Sequence, residues 1–145
     1  REIMRFAEEG GIIYAECGGL MYLGTGIRTF AGRAHKMVGI FPYTTIMQQR
    51  LTHLGYHSVK AVRDTIIARR GECARGHQFR YSSLEGDGPV KGDAFSVSKA
   101  TSGKAFRDGF RYKNVLAQYV HLHFGSNLNY AHRFVESCRR GAGNR

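Results

Sequence analysis

Ile12-Ile13-Tyr14-Ala15-Glu16-Cys17-Gly18-Gly19-Leu20-Met21-Tyr22-Leu23 is the stretch on which the reading of this chain turns. Its first four residues form a short apolar run of strand type, expected to be buried on both faces. Glu16-Cys17-Gly18-Gly19 breaks the run, Leu20 to Leu23 is apolar and short, and Gly24 ends it. Upstream, Ile3, Met4, Phe6 and Ala7 fall on one helical face, so residues 2–9 read as the end of an amphipathic helix closed by Gly10-Gly11. Helix, strand, sharp turn and helix follow one another as in an α/β domain with a parallel sheet.

Further along, Met37 to Tyr43, Gly55 to Val62, Thr65 to Ala68, Gly76 to Ser82 and Phe95 to Ala100 are expected strands. Glu85-Gly86-Asp87-Gly88-Pro89 is an expected loop. Gly103 to Tyr112 is rich in turn residues and receives no assignment. Asn114 to Phe124 reads as one long strand. Asn127 to Arg140 closes with a helix, because Leu128, Ala131, Phe134, Val135 and Cys138 recur at helical spacing. No repeat, low-complexity tract or linker divides residues 1–145.

The 145 residues are enough for one core, and a hydrophobic fraction of 42% excludes wholesale disorder. No apolar run approaches the ~20 residues of a membrane span, and no signal-peptide pattern opens the chain. Cys17, Cys73 and Cys138 are too far apart for a zinc ribbon and odd in number for a disulfide framework. A reducing, cytoplasmic setting is the expectation. Twenty-two basic against eleven acidic residues give a net charge of +11, which attracts polyanions and motivates an alternative reading as a basic nucleic-acid-binding domain. The basic residues are spread along the chain, and Arg139-Arg140 is too short for a binding arm. A solvated, arginine-rich surface is the plainer reading, and neither nucleic acid nor a membrane is an expected partner. Arg1 already lies inside a helical pattern with no capping residue before it, so the chain is expected to be cut from something longer.

A cysteine between a buried strand and a helix sits on a tight turn that glycines permit. The first N–H groups of the helix are expected to lower the thiol pKa and to hold an oxyanion. Taken alone, the pattern fits a small buried cysteine beside a glycine turn equally well. Tyr119-Val120-His121-Leu122-His123-Phe124 is the other notable segment. Period-two alternation would put Tyr119, His121 and His123 on one face. Without further ligands at metal-binding spacing, the two histidines do not make a metal site.

Ile13 to Leu23 resembles the nucleophile segment of the cobyrinate a,c-diamide synthase family, of the cobalamin-pathway branch of class I glutamine amidotransferases. Ala117-Gln118-Tyr119-Val120-His121-Leu122-His123-Phe124 is similar to that family's histidine segment, with Gln118 in place of the usual Ser. Arg75-Gly76-His77-Gln78-Phe79-Arg80-Tyr81-Ser82 is a third match. There Gln78 replaces a glutamate and Arg80 a histidine, while His77 and Tyr81 are kept. Leu54-Gly55-Tyr56 and Arg133-Phe134-Val135 extend the likeness to nearly the whole chain. The cobyric acid synthases resemble it less, because their turn lacks the Ala-Glu before the cysteine and the Leu-Met-Tyr after the glycines.

The resemblance implies a class I amidotransferase-like (flavodoxin-like) α/β fold. Its sheet would be mixed and mainly parallel, flanked by helices and incomplete at its N-terminus. It implies that Cys17 attacks the side-chain amide of glutamine to form a thioester and that His121 handles the proton, as a Cys-His dyad. Gly18 and Gly19 would serve the oxyanion and substrate, with His123, His77 and Tyr81 as supporting candidates. It implies glutamine as a partner, and a corrinoid or related tetrapyrrole polycarboxylate through an ATP-binding synthetase domain outside these residues. No cofactor is expected in the fragment itself, since no phosphate-cradling Gly-x-x-x-x-Gly-Lys-Ser/Thr loop occurs in it. ATP and Mg²⁺ are expected for the full-length enzyme, and the fragment alone is expected to be weak or inactive. Hydrogenobyrinate and nickel-sirohydrochlorin are alternative acceptors within the same chemistry.

Overall fold

The computed structural model describes residues 1–87, 90–99 and 104–143. Helix α1 (Glu2–Glu8) leads into β1 (Ile13–Glu16), the cysteine turn and α2 (Gly18–Leu23). Then come β2 (Gly26–Arg28), β3 (Ala34–Lys36), β4 (Thr44–Met47), β5 (His53–Ala61), β6 (Cys73–Arg80), β7 (Ser82–Glu85), β8 (Phe95–Lys99) and β9 (Ala105–Asp108). Strands β10 (Phe110–Tyr112), β11 (Val115–Gln118) and β12 (His121–His123), a short 3-10 turn and α3 (Leu128–Gly143) complete the chain.

This is the expected mixed α/β architecture. The strands form three sheets, in the orders β1-β11-β10, β12-β6-β5-β8-β9 and β3-β2-β4-β7. Parallel pairing is confined, among the described residues, to β1 with β11 and β2 with β4, a smaller share than the resemblance implied. The physical reason is connectivity. Between Thr44 and Gln118 the strands follow one another through loops without intervening helices, and only antiparallel neighbours can be joined that way. No helix among the described residues is long and apolar enough to cross a membrane.

Two expected strands are absent. Met37 to Tyr43 runs as irregular chain, with Gly39 at φ 84° and Pro42 breaking extended structure. Its N–H groups instead serve the end of α2: Val38, Phe41 and Gly39 donate to the carbonyls of Tyr22, Leu23 and Gly24. That satisfies acceptors a helix C-terminus leaves open, and Ile40, Phe41 and Tyr43 are buried in doing so. Thr65 to Ala68 is a turn, because the Thr65 hydroxyl accepts from the N–H groups of Ile67 and Ala68. Within the turn-rich stretch left unassigned, Ala105–Asp108 and Phe110–Tyr112 are strands. Ala100 and Gly103, the ends of two of the readings, and Gly88-Pro89 in the loop lie outside the described residues.

The long strand expected from Asn114 to Phe124 is two strands with a bend at Tyr119-Val120. The buried Asp108 carboxylate causes it by accepting the N–H groups of both residues at 3.0–3.2 Å, where a ladder partner would otherwise stand. The bend carries the chain from the β1 sheet to the edge of the β5–β6 sheet. It also breaks the expected common face: Tyr119 is buried, His121 half-buried and His123 exposed.

Candidate functional site

Cys17 sits at φ 48°, ψ −105°, in the left-handed region that non-glycine residues rarely enter. Such strain persists only where surrounding structure holds it, and it clusters at functional sites. Here the hold is explicit. The Cys17 N–H donates to the Gln118 carbonyl at 2.8 Å, and its own carbonyl accepts from Met21 at 3.0 Å. Strand β1 thus ends against β11 in the register Glu16↔Gln118, and α2 starts one residue later. β1 is less buried than the sequence implied, because it pairs only with β11 among the described strands.

The Cys17 thiol is pushed up from its ordinary value of 9.0, first by burial. The Gly18 N–H pointing at the sulfur and the positive charge of Arg80 pull it down, and Glu16 opposes them. The expectation of a net lowered thiol pKa is therefore corrected. The helix contributes one N–H to the sulfur, which does not outweigh removal from water. Space above the Gly18 Cα is open, whereas a side chain at Gly19 would meet Ala15 at 3.1 Å.

Glu16 is the residue the sequence reading passed over. Its carboxylate accepts the Leu122 N–H at 2.8 Å and a short hydrogen bond from the Tyr14 hydroxyl. Leu122 directly follows His121, so the strand bearing the cysteine is tied to the strand bearing the histidine across 106 positions of sequence. On its other side β12 pairs with β6, placing His121 opposite His77. The two imidazoles stack at 4.7 Å and 14°, and His121 Nδ1 lies 3.4 Å from the His77 carbonyl oxygen. Cys17 and Gly18 thus follow the end of β1, His121 and His77 stack on the β12–β6 pair, and Glu16 joins the two segments.

The remaining candidates make other contacts. Tyr81 packs edge-on against Phe79 at 5.5 Å, and His123 is exposed opposite Arg75. Among the described residues no group of three metal-ligating side chains converges. Two further groups join the site from the buried side. Arg80 lies over the Tyr119 ring with its guanidinium carbon 4.0 Å from the centroid, and Asp108 organises the bend that aims β12. Period-two alternation within Gly76 to Ser82 puts Arg80 on the polar face opposite Phe79 and Tyr81, so the sequence pattern would turn it outward, whereas that polar face is the inward one. Asp108 lies in a stretch without readable periodicity, and nothing local signals it.

Comparison with known proteins gives a consistent result. Residues 1–128 match the family described as the CobB/CobQ-like glutamine amidotransferase domain. A cobyrinate a,c-diamide synthase from Leptospira interrogans is 43% identical over 130 residues, covering 88% of this chain and 28% of that protein. One from Archaeoglobus fulgidus is 39% identical over 141 residues, covering 96% and 30%. One from Salmonella typhimurium is 35% identical, covering 94% and 30%. The chain therefore spans about 30% of the length of these relatives. A glutamine amidotransferase crystal structure from Thermotoga maritima aligns with a TM-score of 0.49 at 13% identity, covering 99% of this chain and 54% of that one.

Proposed function

Since the chain belongs to the CobB/CobQ-like glutamine amidotransferase domain family, we propose that it is the glutamine-hydrolysing part of an ATP-dependent cobyrinate a,c-diamide synthase. In this reading Cys17 attacks the amide carbon of glutamine and His121 takes the thiol proton and hands it to the departing ammonia. The Gly18 N–H stabilises the oxyanion. A γ-glutamyl thioester results, and water, deprotonated by His121, cleaves it to glutamate. The ammonia goes to activated a- and c-acetate carboxylates of a corrinoid. That activation, with its ATP and Mg²⁺, belongs to the part of the relatives' length that this chain does not span. A cytoplasmic location goes with that chemistry.

The observation that carries the proposal is the clamp at the cysteine turn. A strained, helix-leading cysteine is tied through Gln118 and Glu16 to the segment bearing His121. A merely structural cysteine requires neither the positive φ nor that tie. The thiol held above its ordinary pKa in the resting protein is consistent with a nucleophile that needs a neighbouring base at neutral pH.

The test is Cys17→Ala in the protein as the cell makes it. Glutamine-dependent amidation should be lost while amidation from added ammonium salt persists. Continued use of glutamine as donor would remove Cys17 from the role. Assaying cobyrinate, hydrogenobyrinate and nickel-sirohydrochlorin as acceptors with the wild-type protein distinguishes the alternative substrates.

A further inference from the structure

One face of the β12-β6-β5-β8-β9 sheet looks to solvent. The other carries Val59, Ala61, Ala74, Phe95 and Val97 into the core, so the residues that alternate with them point outward. At one end of β5 and β6 those outward residues are apolar: Leu54 is 56% exposed, Tyr56 80% and Phe79 52%. The register sets Leu54 opposite Phe79 and Tyr56 opposite His77. Tyr81 extends the group, edge-on to Phe79 at 5.5 Å. From Tyr56 an aromatic row crosses the sheet: its ring lies 6.4 Å from His77, which stacks at 4.7 Å on His121. The proton carrier of the proposed reaction therefore shares a face with an exposed apolar patch.

Scattered exposed apolar side chains are ordinary on a protein surface, but a contiguous group with a polar rim marks an interaction site. The charge on this face has one sign. Lys60, Arg75 and Arg107 are exposed on it, and β5, β6, β8 and β12 contain no acidic residue. Asp108, the acid of β9, is buried. A second copy of the chain docked face to face would set cations against cations, which is unfavourable. Lys60, Arg75 and Arg107 are also sparse for a nucleic-acid backbone, whose binding draws on many phosphate contacts. The surface that fits is a protein surface with an apolar centre and an acidic rim.

We infer, on the reading of Cys17 and His121 as a glutamine-hydrolysing pair, that this face docks the ATP-binding part of the same protein through an apolar surface of that part ringed by carboxylates. The relatives carry far more chain than these residues, since this chain spans 28–30% of their length. Ammonia released at His121 has to reach the activated carboxylate before water takes it up as ammonium. A contact that begins at His121 and excludes water gives it that route. The row from His121 through His77 to Tyr56 lies where such a contact has to start.

Hydroxyl-radical footprinting of the protein as the cell makes it, read by mass spectrometry, tests whether the face is covered. Oxidation rates at Tyr56 and Phe79 are compared with those of the same protein in denaturant. Passing from 80% exposed to the centre of an interface should protect Tyr56 about fivefold or more, and Phe79 with it. The protection should survive dilution and nuclease treatment. Rates near those of the unfolded chain would overturn the proposal. So would protection that vanishes on dilution, which marks a second copy, or on nuclease treatment, which marks nucleic acid. The double variant Tyr56→Ser, Phe79→Ser reads the consequence for ammonia. Glutamate formed per amide made should rise about fivefold or more, because truncating aromatic anchors loosens a contact by at least that factor. Amidation from added ammonium salt should be retained. An unchanged ratio refutes the proposal even where the two residues are protected, since some other segment then covers them. The footprint is read on the wild type and stands whether or not the variant folds. If the wild type forms no glutamate, the failure lies in the reading of Cys17, and the footprint still decides whether the face is covered.

Discussion

At Cys17 two demands conflict. A nucleophile must be reachable as thiolate, while the turn that presents it removes it from water, and burial is the larger effect on its pKa. The sign follows directly: a raised pKa keeps the thiol form to higher pH. Alkylation of Cys17 by a small neutral reagent in the unliganded protein should therefore rise with pH up to and beyond 9.0, its ordinary value. A plateau at neutral pH would contradict this. Glu16 carries the opposite character, because its value lies in holding geometry. Glu16→Ala leaves the Leu122 N–H and the Tyr14 hydroxyl without their acceptor. It should cost about 1–3 kcal/mol in denaturant unfolding. Glutamine turnover should fall more than this destabilisation explains, since β12 loses its tie to the turn. Glu16→Gln, which keeps one acceptor oxygen, should recover part of both.

Among the elements, the pairing of β12 with β6 depends on Gly76. A Cβ there would lie 2.4 Å from Val120 Cγ1 and 2.6 Å from the His121 carbonyl oxygen, and the latter is backbone that cannot turn aside. Gly76→Ala should push β12 off the sheet at a cost of about 1–3 kcal/mol and lower glutamine turnover through misplaced His121. Thermal unfolding and a glutaminase assay report the two effects. Helix α3 is fastened to the β5–β6 connection by Arg133, whose two terminal nitrogens meet Glu72 at 2.6 and 3.0 Å in a largely buried pair. The Arg133 guanidinium holds the Glu72 carboxyl below its ordinary 4.5, with the Arg69 N–H also lowering it. A lowered folded-state pKa gives stability that is present above 4.5 and is lost as pH falls through the folded value. Arg133→Met should thus destabilise the protein at neutral pH, and the difference from wild type should shrink in acid. A difference constant down to pH ~3 would refute the assignment.

Across the whole molecule, β11 divides two apolar cores. Leu116 faces the cluster of Val59, Phe95, Val97 and Tyr130, while Val115 and Ala117 face that of Leu20, Leu23, Phe41 and Tyr43. One strand thus belongs to both cores, because successive residues point to opposite faces. Leu116→Ala should cost about 2–5 kcal/mol and lower the stability of both sides together in one transition. Two separate transitions would show that the cores are independent. The net charge of +11 is distributed over this surface. Any contact with DNA should be weak, blind to sequence and lost as salt rises.

Much of this was readable along the chain. The helix at Glu2–Glu8, strand β1, the turn at Cys17, strand β5 and the closing helix α3 follow from apolar periodicity and glycine placement, which are local properties. The family is legible in two short motifs. The site itself needed contacts between distant residues. Met37 to Tyr43 has strand composition but is irregular, because its N–H groups complete α2 rather than a sheet. The break at Tyr119-Val120 comes from the Asp108 carboxylate, eleven positions away in a stretch without readable pattern. The role of Glu16 appears only when Leu122 is beside it, and Tyr56 joins His121 on one face only once β5, β6 and β12 are paired. The sequence alone thus established Cys17 on its strand–turn–helix, because backbone preference and hydrophobic period act over a few residues. The direction of its pKa shift, its tie to the His121 strand and the apolar patch beside His121 depended on tertiary structure. Burial, field and hydrogen-bond pairing are properties of neighbours in space.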